Sequence, residues 1–248
     1  MKDTVTDTDL RALRTDLAAA FRLAARFDWH ESVGNHFSVA VSDDGRRFLM
    51  NPKWRHFSSI RASDLLLLDA DDPSVMDGPD APDASAWTIH GTLHRARKDV
   101  RVVLHCHPPN ATALAALKSP ALPPIDMNTA RFYGDVAIDY DCGGIADDAA
   151  EGERIAAALG DCSTLLMANH GLTCTGVTVA QAFEQLYFFE KAAGTVLKAL
   201  GSGQELGVMT KEVARRTAEG WKAYAGMADA HFAYLKSVLD REEPDYRH

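Results

Sequence analysis

Val100-Arg101-Val102-Val103-Leu104-His105-Cys106-His107-Pro108-Pro109 is the stretch from which the rest of the chain is best read. Its β-branched run predicts a buried strand. The two prolines stop that strand and open a helix over Asn110 to Leu117. Residues two apart on a strand share a face, so His105 and His107 project together while Cys106 turns away as a buried structural thiol. A second apolar strand, Thr164 to Ala168, ends in Asn169-His170-Gly171 and offers a third imidazole. Three protein ligands with open positions is the pattern of a catalytic rather than a structural metal site. Ten histidines in 248 residues give about 0.4 H-x-H pairs by chance, so the pair counts through its placement after an apolar strand, not its spacing.

Outward from this strand, the apolar spacing of Leu10, Leu13, Leu17, Phe21, Ala24 and Phe27 predicts an opening helix with Asp7 or Thr8 as its cap. Ser32-Val33-Gly34-Asn35 is a turn, and His36 to Ser42 alternates as a strand. Asp43-Asp44-Gly45 makes a hairpin into Phe48-Leu49-Met50. Leu65 to Asp69 is a further strand, followed by an Asp/Pro-rich loop to Asp83 and a helix over Ala84 to Ala96. A strand over Val136 to Tyr140, a helix over Asp147 to Leu159, a hairpin arm Leu172-Thr173-Cys174 and a long helix over Val179 to Leu200 come next. One final helix is expected to carry Trp221, Tyr224, Phe232 and Leu235, with loose polar residues after it. Strands mixed with hairpins and helices predict an α/β sandwich with a largely antiparallel sheet. No repeat or linker interrupts the chain, so residues 1–248 are expected to form a single domain, with a core over about 8–200 and a helical tail over about 205–248.

Composition excludes several function classes. A net charge of −9 with no basic stripe argues against nucleic acid. No signal-peptide core or membrane-length apolar run is visible. Four scattered cysteines without a C-x-x-C pair fit a reduced, cytoplasmic protein.

Several motifs then agree in order: Gly34-Asn35; Thr88-Ile89-His90 with His94-Arg95-Ala96-Arg97-Lys98-Asp99-Val100; His105-Cys106-His107; and Asn169-His170-Gly171-Leu172. In this arrangement the chain resembles the class II aldolase/adducin superfamily from about Leu10 to Lys198. The resemblance implies a three-layer α/β/α sandwich around a central, largely antiparallel mixed sheet. It also implies a homotetramer with active sites between subunits, and a divalent metal on His105, His107 and His170, with zinc first and manganese or iron as alternatives. Adducin heads share the fold without this triad, so its presence favours an enzyme. Two departures matter. The sugar-phosphate aldolases carry a catalytic glutamate where Ala84-Ser85-Ala86 stands here, and their Ser-Gly phosphate turn is replaced by Lys53-Trp54-Arg55-His56. Arg131-Phe132-Tyr133-Gly134 and the Leu239–Tyr246 tail look closer to the adducin-like bacterial branch, similar to decarboxylases of aromatic acids and to iron-dependent oxygenases of aryl-pyruvate-type acids.

The function expected is a divalent-metal-dependent carbon–carbon lyase, aldolase or decarboxylase, acting on a small hydroxy, keto or aromatic carboxylic acid through a metal-stabilised enolate. Decarboxylation needs no proton abstraction, which suits a chain lacking the glutamate. An Fe(II) oxygenase on the same fold and a non-catalytic adducin-like binding module are the alternatives. Tyr133 is the candidate proton donor, and a half-buried core tyrosine is the plainer reading of it. Lys53 and Arg131 are candidate carboxylate clamps, and Asn35 is a candidate substrate contact, unless it only tolerates a left-handed turn. His90 and His94, one helical turn apart, are expected to pack the helix or support the ligands. His36 and His56 have no assigned part.

Overall fold

The computed structural model describes residues 6–78, 81–141, 149–224 and 226–248. The first half of the chain gives α1 (Asp7–Arg26), β1 (His36–Ala40), β2 (Arg47–Met50), β3 (Leu66–Asp69), α2 (Ala84–Ala96), β4 (Val102–Cys106) and α3 (Pro109–Ala115). After it come α4 (Met127–Ala130), β5 (Val136–Asp139), α5 (Ala149–Leu159), β6 (Thr164–Met167), β7 (Gly171–Gly176) and α6 (Val179–Gly201). Helices α7 (Lys211–Lys222) and α8 (Met227–Glu242) precede a 3-10 turn at Pro244–Arg247.

The strands form one sheet in the order β3-β2-β1-β4-β7-β6-β5. Only β5 and β6 run parallel, and the other pairs are antiparallel, which makes the sheet mixed and largely antiparallel as expected. Strand β4 lies at its centre, buried at every residue. Its alternation divides the core. Val102, Leu104 and Cys106 pack with residues of α1, α3 and α6 on one face, whereas Val103 joins Ile89, Leu93 and Ile155 of α2 and α5 on the other. A strand covered on both faces must be apolar on both, which is why β4 shows no polar alternation until His105. The result is a three-layer α/β/α sandwich.

The ends of the chain differ from the sequence expectation in two ways. The single final helix is two helices, α7 and α8, with Gly226 at φ +83° as the cap of the second. A left-handed residue cannot continue a right-handed helix, and glycine takes that conformation without steric cost. The polar tail is not loose. Tyr246 is fully buried, and its hydroxyl donates to Asp240 at 2.8 Å. Arg22 of α1, itself buried, donates to the Ile60 carbonyl at 2.8 Å and to Asp245 at 2.8 Å, and lies 3.3 Å from Glu243. The charged tail residues that look solvent-bound in sequence are the partners of a buried arginine. Of the remaining expectations, Cys142 and the helix start at Asp147 lie outside the described residues, while Thr6, not Asp7 or Thr8, caps α1. No helix among the described residues is long and apolar enough to cross a membrane.

Candidate metal centre

The H-x-H pair arises at the end of β4, where His105 is the last imidazole held by the ladder and His107 lies just beyond it. His105 faces Thr173 of β7 in register, and the β6–β7 connection delivers His170 beside them. One ring nitrogen from each of His105, His107 and His170 can be chosen so that all lie within 4.8 Å of one another. The ring centroids stand 4.9–5.2 Å apart. Gly171 makes this approach possible. A Cβ there would sit 2.3 Å from His107 Cδ2 and 2.9 Å from the Cys106 carbonyl oxygen, far inside contact distance.

Hydrogen bonds fix which nitrogen points inward in two of the three rings. His107 Nδ1 donates to Glu31 at 2.7 Å, and its buried Nε2 has no partner among the described residues. Thr173 directs its hydroxyl toward Met167 Sδ, so its oxygen accepts from His105 Nδ1 at 3.1 Å. Both rings therefore present bare Nε2 atoms, the arrangement in which an outer hydrogen bond orients a metal ligand. A buried lone pair without a donor is costly, and a divalent cation satisfies it. The donor set fits such an ion. Burial, with the neighbouring imidazoles, pushes His105 well below the ordinary histidine range, and burial with His107 lowers His170, so both favour the neutral, ligating form.

Around the triad lies a cavity of about 390 Å³ whose walls include Asn35, His36, Asn51, Lys53, Trp54 and Asp83. Asn35 and Lys53 are thus brought to the same cavity as the triad. Asn35 has φ +65°, and its side-chain oxygen accepts from the Glu31 backbone, so it shapes the loop as well as lining the cavity. The ammonium of Lys53 lies 5.0 Å from the Trp54 ring centroid. Arg131 and Tyr133 are elsewhere. They precede β5 at the end of the sheet remote from the triad, where Arg131 lines a separate cavity of about 470 Å³. The Arg131 guanidinium there stacks on Phe188 and Trp221, at 4.5 Å and 5.3 Å, with Glu184 at 3.9 Å.

Three residues of the site carried no assignment in sequence. Glu31 anchors His107 across a loop. Asp83 caps α2, accepting from the backbone of Ser85 and Ala86. Burial works to raise its pKa, yet hydrogen bonds from Ser85 and Ala86 outweigh that and hold it below the usual carboxylate range, so it stays an anion. His36 stacks on His105 at 4.8 Å, because β1–β4 register sets the two opposite each other. The signal that could have found it was the GN-H sequence at the head of a strand paired to the H-x-H strand.

Behind His36, His90 and His94 of α2 are fully buried, and burial is the main cause that lowers both, His94 to about 4. Their folded values lie below the unfolded value of 6.5, so the unfolded chain binds more protons in between. Stability from these groups is full above about pH 6.5 and is lost as pH falls, at about 1.4 kcal/mol per pH unit for each histidine. Urea midpoints measured between pH 7 and pH 5 are expected to fall steeply. A flat profile over that window would show that both rings titrate normally.

An α/β/α sandwich with an open three-histidine cluster at the end of its central strand defines a chain of class II aldolase type. The chain belongs to the family described as "Class II Aldolase and Adducin N-terminal domain", which it matches over residues 15–197. A crystal structure of an aldolase II superfamily protein from Pseudomonas syringae superposes with a TM-score of 0.86 at 35% identity, covering 99% of this chain and 98% of that one. Decarboxylase NovR of Streptomyces niveus is 29% identical over 87% of this chain and 82% of its own. The 4-hydroxy-3-prenylphenylpyruvate oxygenase/4-hydroxy-3-prenylbenzoate synthase of Streptomyces roseochromogenus is also 29% identical, over 87% of this chain and 80% of its own.

Proposed function

We propose that the protein is a divalent-metal-dependent carbon–carbon lyase, of decarboxylase or aldolase type, acting on a small hydroxy, keto or aromatic carboxylic acid. The observation that carries this reading is the convergence of three imidazoles in an open cavity, two of them held by Glu31 and Thr173 with bare Nε2 atoms inward. His105, His107 and His170 would hold the ion, zinc before manganese or iron. Bound there, a divalent ion polarises a substrate oxygen and favours charge building on it as a neighbouring C–C bond breaks.

The chain's own groups do the rest. Lys53 supplies a cation for a carboxylate, Asn35 supplies an amide N–H, and Trp54 with Val33 supply apolar wall for a ring. Asp83 remains ionised and committed to its helix cap, so it is a poor proton donor. Ala86 stands where the sugar-phosphate aldolases have their glutamate. Those features favour decarboxylation, in which CO₂ leaves with no prior proton abstraction and the electron pair left behind is later protonated. Within a homotetramer whose active sites lie between subunits, Tyr133 would serve the centre of a neighbouring copy, whereas Arg131 stays held on Phe188 and Trp221 in its own cavity. The whole chain would act as one domain in the reducing cytoplasm, where Cys106, Cys162 and Cys174 stay as free thiols.

A second reading, an Fe(II) oxygenase, is favoured by the name of the Streptomyces roseochromogenus relative. The test is turnover of a panel of α-hydroxy, α-keto and aromatic acids, with sugar phosphates beside them, by protein loaded with zinc, manganese or iron. CO₂ release without oxygen uptake is expected. Iron-specific, oxygen-dependent turnover would install the oxygenase instead. Cleavage of sugar phosphates with the acids untouched would overturn the substrate class.

A further inference from the structure

Behind the cavity, four side chains form a hydrogen-bonded line that ends on a backbone carbonyl. His94 Nδ1 lies 3.2 Å from the Val100 oxygen, and His94 Nε2 lies 2.7 Å from Ser38 Oγ. Ser38 Oγ is 2.5 Å from His90 Nδ1, and His90 Nε2 is 2.7 Å from His36 Nδ1. Ser38, His90 and His94 are buried, and His36 opens onto the cavity beside His105.

The direction of every bond in this line follows from its last member. A carbonyl oxygen only accepts, so His94 carries its proton on Nδ1 and, being neutral, accepts at Nε2. Ser38 must donate its one proton there. Having spent it, Ser38 can only accept from His90 Nδ1. His90 Nε2 is then an acceptor, and His36 Nδ1 must be the donor. The count leaves His36 Nε2 with a lone pair and no partner among the described residues. Reversing the line would set a bare His94 nitrogen against the Val100 oxygen, lone pair against lone pair.

We propose that this line locks His36 in the Nδ1–H form and makes its bare Nε2 the acceptor by which the cavity recognises a hydroxyl group on the substrate. The assignment rests on the lyase reading and narrows it to acids that carry an O–H donor near the metal centre. A keto acid offers only acceptors to that position and would leave both groups unsatisfied. Burial keeps His90 and His94 neutral, with His94 lowered to about 4. His36 is also not one of the three imidazoles whose nitrogens cluster as ligands, so its lone pair is available for substrate. Its part is to position and select; it has no need to exchange a proton.

The test uses the full chain labelled with ¹⁵N-histidine, with and without zinc. Long-range ¹H–¹⁵N correlations are expected to show protonated Nδ1 and bare Nε2 on His36, His90 and His94, and Ser38→Ala is expected to release His36 into a mixture of forms. A proton on His36 Nε2 in the wild type, or a zinc–Nε2 bond, would overturn the assignment. In the zinc-loaded protein, mandelate should bind about tenfold more tightly than phenylacetate, the value of one well-made hydrogen bond. That preference should vanish in His36→Leu and persist in His36→Gln, whose amide oxygen can accept in its place. Equal affinities, or binding of neither acid, overturn the hydroxyl recognition. Failure to bind zinc with the Nδ1–H form intact sinks the metal reading alone.

Discussion

Replacing His107 with alanine is expected to reduce the metal content from about one ion per chain to background and to abolish turnover. Among the described residues, His107 is the ring whose outer partner is Glu31 alone and whose buried Nε2 has no donor. Removing it leaves two imidazoles, too few to hold a labile ion against solvent. His105→Ala and His170→Ala should do the same, each with a loss of activity of about a thousandfold or more, since removing a ligand removes the polarising charge entirely. Glu31→Gln should be milder, weakening the ion about 10–100-fold, because it disturbs only the orientation and basicity of His107. Elemental analysis of protein purified without chelators, alongside circular dichroism to confirm folding, decides the matter. Full metal retention in the His107 variant would overturn the centre.

The second large effect is on stability. Deleting residues 244–248 removes Tyr246, a fully buried ring, and also Asp245, which is hydrogen-bonded to the buried Arg22. Loss of a buried aromatic side chain costs about 3–5 kcal/mol. Arg22 keeps Glu243 and the Ile60 carbonyl, so losing the Asp245 bond adds about 1–3 kcal/mol. Domains of this kind have only about 5–15 kcal/mol in total, so the truncated chain should be largely unfolded or aggregated. Tyr246→Phe keeps the ring and loses only the bond to Asp240, for about 1 kcal/mol. Urea titrations of the two variants separate the contributions. A truncated chain with a wild-type midpoint would show that the tail lies on the surface without supporting it.

Much of this architecture was readable from residues in order. Strand β4 announced itself because it is buried on both faces and so is apolar throughout, with prolines marking its end. Helix α2 was legible to its boundaries, since the Asp/Pro-rich loop ends where the apolar spacing of Ile89 and Leu93 begins. The three candidate imidazoles were legible because two lie at and just past the end of one strand and the third follows another. Glu31, His36 and Asp83 were not, because each joins the site through register or loop return and not through its own neighbours. His36 meets His105 only because β1 pairs antiparallel with β4 at that step. The break between α7 and α8 was missed because no proline marks it and the apolar spacing runs on across Gly226. The tail misled for a related reason: its charges pair with Arg22, more than two hundred positions earlier, and sequence order carries no hint of that pairing.

The clasp between Arg22 and the residues at Glu243 and Asp245 also sets a clock on synthesis. A ribosome adding about 5–20 residues per second needs about 10–45 s to travel from one partner to the other. Throughout that interval α1 carries a cationic group whose carboxylate partners have not yet been made. The clasp therefore closes only after residues 243–245 have left the ribosome, and chaperone occupancy of the first helix should rise as translation slows.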